Sequence, residues 1–139
     1  MAELLTGLPA FMQDQASKPF RWGVCDCSTF LADWVEFRTG IDPASRTRGT
    51  YDDENGAGLN FRSFGGLVRA VGREMRAAGF RLVRDALPGD VGVVLVPGEL
   101  VCAVWTGRRW TFRREGGICG VDGDRARPVA VWRVECRQR

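Results

Sequence analysis

Apolar residues in the first half of the chain recur at the three- and four-residue spacing of helices. One group predicts a short or broken helix, because Pro9 lies inside it: Leu4, Leu5, Leu8, Phe11 and Met12. A second group predicts a helix that Asp26 caps and Gly40 ends: Cys27, Phe30, Leu31, Trp34, Val35 and Arg38. A third group predicts a helix from about Ser63 to Ala78: Phe64, Leu67, Val68, Val71 and Met75. Residues 41–62 lack periodicity and predict an irregular loop.

The second half changes to the short apolar and alternating runs that are typical of strands. Four strands are predicted, at Val91–Val96, Leu100–Thr106, Arg109–Arg114 and Val129–Glu135. Pro97-Gly98 predicts a tight turn between the first two strands. Helices followed by antiparallel strands indicate an α+β domain, and 139 residues suit one domain, so residues 1–139 are assigned to a single unit.

Composition narrows the function classes. Apolar residues make up 45% and charged residues 27% of the chain, which is a globular balance. No apolar run approaches the roughly 20 residues of a membrane span, and the first residues lack the pattern of a secretory signal. We therefore expect synthesis in the cytoplasm and no membrane span. Arginines flank Trp110 and Phe112, as in a nucleic-acid stacking platform, but a half-buried strand has the same pattern. We favour the strand and expect no nucleic-acid partner.

The counts of cysteine and histidine restrict the chemistry further. Five cysteines do not form an even disulfide framework, and the absence of histidine excludes every imidazole-based mechanism within this chain. One alternative is a four-thiolate site for zinc or an iron–sulfur cluster, built from Cys25 and Cys27 with Cys102, Cys119 or Cys136. We favour the interpretation that these cysteines pack in the interior, and we expect no cofactor.

The segment from Phe20 to Phe30 carries the candidate chemistry. It places Cys27 in the first turn of a helix, directly after the capping residue Asp26. Free backbone N–H groups and the helix dipole stabilise a thiolate at that position and lower its pKa. The charge of Asp26 acts in the opposite direction. Cys27 is therefore the candidate nucleophile, with Asp26 as cap and candidate orienting residue.

Three motifs in this order resemble the signatures of NlpC/P60 cysteine peptidases. They are Trp22-Gly23 with Asp26-Cys27-Ser28 and Phe30, then Pro88-Gly89-Asp90-Val91, then the strand from Val101 to Gly107. The resemblance covers residues 20–107. It implies a papain-like domain with N-terminal helices packed on a small antiparallel sheet or barrel. It also implies that Cys27 faces the strand that contains Val101.

The chain also resembles a group of small phage-associated proteins. The shared residues are Trp22-Gly23, Asp26-Cys27, Phe30 to Val35, Thr39 to Pro43 and Arg48 to Tyr51. This resemblance implies a tail operon, with tail-tip or baseplate proteins as partners. The segment from Ile41 to Arg62 and the strand edges are then the expected partner surfaces. After synthesis, the protein would be assembled into a virion tail or tail-like particle.

Departures from the NlpC/P60 pattern indicate a degenerate site. The catalytic histidine of the family would fall at Val101, and the tyrosine that often precedes Trp-Gly is Phe20. By spacing, the third polar residue would be Arg113 or Glu115. The sequence therefore predicts a non-catalytic tail component. The alternatives are an active peptidase or amidase that cleaves peptidoglycan peptides with a base other than histidine, and the cysteine-ligated metal protein.

Overall fold

The computed structural model describes residues 7–63 and 65–135, and in these ranges the chain forms four helices and six strands. The helices are α1 (Leu8–Ala16), α2 (Cys27–Thr39), α3 (Glu54–Ser63) and α4 (Leu67–Ala77). The strands are β1 (Leu82–Val83), β2 (Val91–Val96), β3 (Glu99–Trp105), β4 (Arg109–Arg114), β5 (Gly117–Asp122) and β6 (Arg127–Trp132). A short 3-10 helix, Gly123–Arg125, precedes β6. The predicted α+β class is confirmed.

The first two helices follow from local signals in the sequence. α1 begins at Leu8, so Pro9 lies in its first turn, where a missing N–H is harmless. The predicted residues Leu4 and Leu5 lie outside the described residues. α2 has Asp26 as its N-cap and Gly40 in the left-handed conformation at its end, as predicted.

The predicted loop over residues 41–62 is wrong in its second half, which forms α3. The Asp53 carboxylate accepts a 2.6 Å hydrogen bond from the backbone N–H of Gly56 and so caps the start of this helix. Among the side chains described for α3, only Ala57 is buried, at 3% exposure. The side chains described for α3, residues 54–59, form no buried apolar stripe, and periodicity therefore did not reveal this helix.

The predicted third helix corresponds to α4, but it begins about four residues later than expected. Gly65 and Gly66 both have positive φ, at 89° and 107°, which α-helical backbone does not allow. They separate α3 from α4. Phe64, which was assigned to this helix, lies outside the described residues.

The six strands form one antiparallel sheet in the order β1-β6-β2-β3-β4-β5. Two predicted strands have the observed bounds, β2 and β4, while β3 and β6 begin one and two residues earlier than predicted. β1 and β5 were not predicted, because both are edge strands that lack a buried alternating face. β2 and β3 are joined by the predicted turn at Pro97-Gly98.

Apolar clusters cover the two faces of the sheet. The first, between the helices and the sheet, contains Phe11, Phe30, Trp34, Met75, Val91, Val93, Cys102, Val104, Trp132 and Val134. The second, on the other face, contains Val94, Val96, Val101, Ala103, Trp110, Phe112 and Val131. Trp110 and Phe112 are 2% and 1% exposed, so these rings do not form a stacking platform. In the described ranges, no helix has the length and apolar character needed to cross a membrane.

Candidate functional site

A tight turn leads the chain into α2. Arg21 and Cys25 exchange two backbone hydrogen bonds, of 2.8 and 2.6 Å, which close the turn. Gly23, inside it, has a φ of 81° and donates its N–H to the Asp26 carboxylate at 2.8 Å. A Cβ at this position would lie 2.0 Å from the carbonyl oxygen of Tyr51. Both the backbone conformation and the close approach therefore require the glycine of the Trp-Gly motif.

Asp26 is buried, and its carboxylate accepts four hydrogen bonds. Two come from the backbone N–H groups of Gly23 at 2.8 Å and Thr29 at 2.9 Å. The other two come from the hydroxyls of Ser28 at 2.9 Å and Tyr51 at 2.7 Å. The Thr29 hydroxyl accepts from the Asp26 backbone N–H in return, which completes a capping box. A carboxylate offers about four acceptor positions. The contacts of Asp26 are therefore used to hold the start of α2 in place.

Tyr51 belongs to this network, although no pattern in the sequence predicted a contact between Tyr51 and Asp26. Its hydroxyl lies 2.7 Å from the Asp26 carboxylate and 3.0 Å from the Ser28 hydroxyl. Burial and the neighbouring carboxylate raise the pKa of Tyr51, so it remains a protonated donor at neutral pH. The sequence feature that could have pointed to Tyr51 is the segment Arg48–Tyr51, which the phage-associated proteins share.

Arg48 anchors the same segment to α2. Its guanidinium forms ion pairs of 2.8 Å with Asp33 on α2 and of 2.8 Å with Asp42 in the following loop. Burial raises the pKa of Asp33, against the opposing effect of Arg48. Asp42 and Arg48 come from the two loop motifs of the phage-associated resemblance. In this structure both motifs fix the path of the loop.

Cys27 is the first residue of α2, and its thiol contacts Cys102 on β3. Cys27 packs against the cluster that contains Cys102, and hydrogen bonding from the side chain and the backbone N–H of Cys102 favours the thiolate of Cys27. These bonds lower the pKa of Cys27, although burial and the Asp26 and Glu99 carboxylates oppose ionisation. The same hydrogen bond, together with complete burial, raises the pKa of Cys102 well above its ordinary value. Cys27 is therefore the thiol of the pair that ionises first.

Cys27 lies on the wall of a cavity of about 360 Å³. The residues that line it with Cys27 are Phe20, Trp22, Glu54, Glu99, Val101, Arg113, Arg114, Glu115 and Gly116. Phe20 and Trp22 meet edge to face with ring centroids 4.9 Å apart. Phe20, at the expected tyrosine position, brings no hydroxyl to this wall. The cavity gives small molecules access to a half-buried Cys27.

Three further predicted site residues also border this cavity, but they do not form a triad with Cys27: Val101, Arg113 and Glu115. Val101 packs its side chain into the cluster on the opposite face of the sheet, so the side chain that faces Cys27 is Cys102. Arg113 is 2% exposed and donates at 2.6–3.0 Å to carbonyl groups at the end of α1. Glu115 is exposed in the turn between β4 and β5.

A model of one protein family, described as a domain of unknown function (DUF6950), matches residues 3–134. The chain belongs to the DUF6950 family. No curated protein and no solved structure matches it. The description of DUF6950 assigns no reaction.

The cysteines of the DUF6950 domain are not gathered into a metal site where the structure describes them. Among the described residues, no three histidine, cysteine, aspartate or glutamate side chains are placed to hold a metal ion. Cys119 packs against the cluster on the face of the sheet opposite Cys102. Cys136 lies outside the described residues. The four described cysteines therefore do not provide the tetrahedral set that zinc or an iron–sulfur cluster needs.

Replacing Cys102 with alanine should raise the pKa of Cys27 and slow its alkylation by iodoacetamide at pH 7 by about three- to tenfold. The thiolate would lose its side-chain donor, while the Asp26 and Glu99 carboxylates would still oppose ionisation. The measurement is the rate of Cys27 labelling across pH, followed by peptide mass spectrometry. Cys102→Ser is the matched control, because its hydroxyl can still donate. An unchanged pH profile in the alanine variant would contradict the role given to Cys102.

Proposed function

We propose that this DUF6950 domain is an NlpC/P60-like domain that has lost hydrolase activity and serves as a structural or assembly component of a phage-type tail tip or baseplate. The observation that carries the proposal is the surroundings of Cys27. The cysteine has the helix N-terminus, the cavity and the facing strand that a nucleophile needs, but the side chain opposite it is the thiol of Cys102. A chain without histidine has no imidazole to accept the proton.

The other polar groups around Cys27 do not replace this base. The acceptor positions of Asp26 are filled by four donors. Glu99 is ion-paired with Arg114, and Cys102, with its raised pKa, donates a hydrogen bond to Cys27. Loss of general-base assistance alone removes about 10²–10⁴-fold in rate. These contacts support a site without peptidase activity.

The assembly role is supported by the resemblance to small phage-associated proteins. Two of the shared residues, Arg48 and Tyr51, hold the loop before α3 against α2 through Asp33 and Asp26. Leu59 on α3 is 61% exposed, and β5 is the outermost strand on its side of the sheet. We expect tail proteins to bind these two surfaces, because exposed apolar side chains and open strand edges are suited to protein contacts.

Locating the chain in particles tests the assembly role. An epitope-tagged copy, expressed while phage or tail-like particles are produced, should co-purify with intact particles and be labelled by antibody–gold at the distal end of the tail. Leu59→Asp should reduce its incorporation. Val24→Asp is the matched control, because Val24 is exposed to a similar degree, 54%, but lies in the turn before α2, outside the segment 41–62 and the strand edges. Recovery of the tagged chain only outside particles would refute the assembly role.

An active cysteine peptidase or amidase is the second candidate, and the lowered pKa of Cys27 favours it. The test is incubation with purified peptidoglycan, with released peptides measured by mass spectrometry and Cys27→Ser as control. The first proposal predicts that the wild type and Cys27→Ser release the same small background amount of peptide. Release of peptides that depends on Cys27 would overturn the loss of hydrolase activity and make peptidoglycan cleavage the function.

A further inference from the structure

Cys27 and Cys102 form a thiol pair whose two members differ in access. Cys102 lies on the α2 side of β3, in the apolar cluster against which Cys27 packs, and the two thiols interact there. Cys27 is half-buried and borders the cavity of about 360 Å³, whereas Cys102 is fully buried. An accessible thiol with a shielded partner in contact can attack an outside disulfide and then close onto its partner.

We propose that Cys27 and Cys102 are a redox-active dithiol that reduces small, positively charged disulfides by thiol–disulfide exchange. The site requires neither hydrolysis nor tail assembly, and so it is independent of the functions proposed above. Its substrate is a molecule small enough to bring a disulfide sulfur into the cavity beside Cys27.

The exchange proceeds in two balanced steps. The Cys27 thiolate attacks one sulfur of the disulfide R–S–S–R, a mixed disulfide forms, the original S–S bond breaks, and RS⁻ leaves with a proton from solvent. Cys102 then loses its proton to solvent, its sulfur attacks the Cys27 sulfur, and the second RS⁻ leaves and is protonated. The substrate gains two electrons and two protons, and the cysteine pair loses the same number. The substrate is thus the only oxidant.

The charges around the cavity determine which disulfide is favoured. Four carboxylates lie beside Cys27 or border its cavity: Asp26, Glu54, Glu99 and Glu115. Of the two arginines at the cavity, Arg113 donates to carbonyl groups of the α1 region, and Arg114 is paired with Glu99. Four carboxylates against two guanidinium groups leave a net charge of −2 around the cavity, which attracts a cation and repels an anion.

The other described cysteines lack this arrangement. Burial raises the pKa of Cys25, which lies in the turn before α2. Cys119 packs with the cluster on the opposite face of the sheet. Neither residue borders the cavity of Cys27. They serve as internal controls in the same molecule.

Reaction with cystamine, a small dication, tests the site. The reduced, folded protein is mixed with cystamine at pH 7, quenched with acid, blocked with N-ethylmaleimide and mapped by peptide mass spectrometry. The wild type should form a Cys27–Cys102 disulfide and release both halves of cystamine. Cys102→Ser should stop at a mixed disulfide on Cys27, and Cys27→Ser should leave Cys102 reduced. A folded wild-type protein, verified by circular dichroism, that forms no Cys27–Cys102 disulfide would overturn the proposal.

Glutathione disulfide, which is anionic, tests the charge selection. After normalisation to the rates on the urea-denatured chain, cystamine should react with Cys27 about tenfold faster at low ionic strength. The advantage should shrink as salt screens the carboxylates. Equal normalised rates at low salt would overturn the preference for cationic disulfides. Reaction at Cys25 or Cys119 before Cys27 would overturn the assignment of Cys27 as the attacking thiol.

Discussion

Replacing Asp90 with alanine should lower the free energy of unfolding by about 3–5 kcal/mol. The Asp90 carboxylate is fully buried, accepts backbone N–H groups of Leu87 and Val134 at 2.9 Å each, and forms a 2.9 Å ion pair with Arg133. Alanine would leave the buried Val134 N–H without an acceptor and the largely buried guanidinium without a counter-charge. Urea denaturation with linear extrapolation measures the loss.

An exposed ion pair in the same sheet provides the control for Asp90. Asp122 on β5 and Arg109 on β4 pair at 2.8 Å, with side chains that are 54% and 55% exposed. Asp122→Ala should cost no more than about 0.5 kcal/mol, because solvent screens an exposed pair. Asp90→Asn, which keeps the shape and one carbonyl acceptor, should fall between the two alanine variants. Equal losses at Asp90 and Asp122 would mean that the buried contacts of Asp90 do not stabilise the fold.

The Pro88-Gly89-Asp90 motif shows what the sequence could and could not predict. Its position at the start of a strand was expected from turn chemistry and from the family resemblance. Its contacts were not, because they join distant parts of the chain. The Gly89 carbonyl accepts a 2.7 Å hydrogen bond from the indole N–H of Trp34, 55 residues earlier, and Asp90 accepts from Val134, 44 residues later. A local sequence pattern cannot predict hydrogen bonds between residues that are so far apart in the chain.

Elements with strong local signals were predicted, and elements defined by their neighbours were missed. α2 has a capping aspartate, an apolar face and a terminal glycine, and β2 is a run of apolar residues after a turn. β5, in contrast, exists because its backbone pairs with β4, from Arg109 opposite Asp122 to Arg114 opposite Gly117. Its side chains are mostly half-exposed, so buried and exposed positions do not alternate along the strand in the way that would predict it.

In the candidate site, too, the features that depend on local sequence were predicted and those that depend on distant contacts were not. The place of Cys27 at a helix N-terminus followed from its immediate neighbours. The residue that faces it depends on strand register, since alternate residues of a strand point to opposite faces. β3 pairs with β2 so that Cys102 lies opposite Val93 and Val101 opposite Val94, which directs Cys102 toward α2 and Val101 away from it. The residue that faces Cys27 is therefore Cys102, one position after Val101, where the family resemblance places the catalytic histidine.

Replacing Asp26 with alanine should lower the free energy of unfolding by about 3–5 kcal/mol and, at the same time, lower the pKa of Cys27. Stability falls because the cap of α2 is worth about 1 kcal/mol and because the donors of Gly23 and Tyr51 lose a buried acceptor. The thiol pKa falls because the Asp26 carboxylate opposes ionisation of its neighbour. Urea denaturation measures the first effect, and the pH profile of Cys27 alkylation measures the second.

Two further variants separate the hydrogen bonds of Asp26 from its charge. Asp26→Asn keeps a carbonyl acceptor and removes the charge, so it should reproduce the fall in the pKa of Cys27 with a smaller loss of stability. Tyr51→Phe removes one donor and leaves the charge, so it should cost about 1 kcal/mol and leave the alkylation profile unchanged. A rise in the pKa of Cys27 in Asp26→Ala would show that the carboxylate positions the thiolate more than it repels it. Asp26 would then be a positioning residue for the nucleophile, and the active-hydrolase candidate would gain support over the degenerate site.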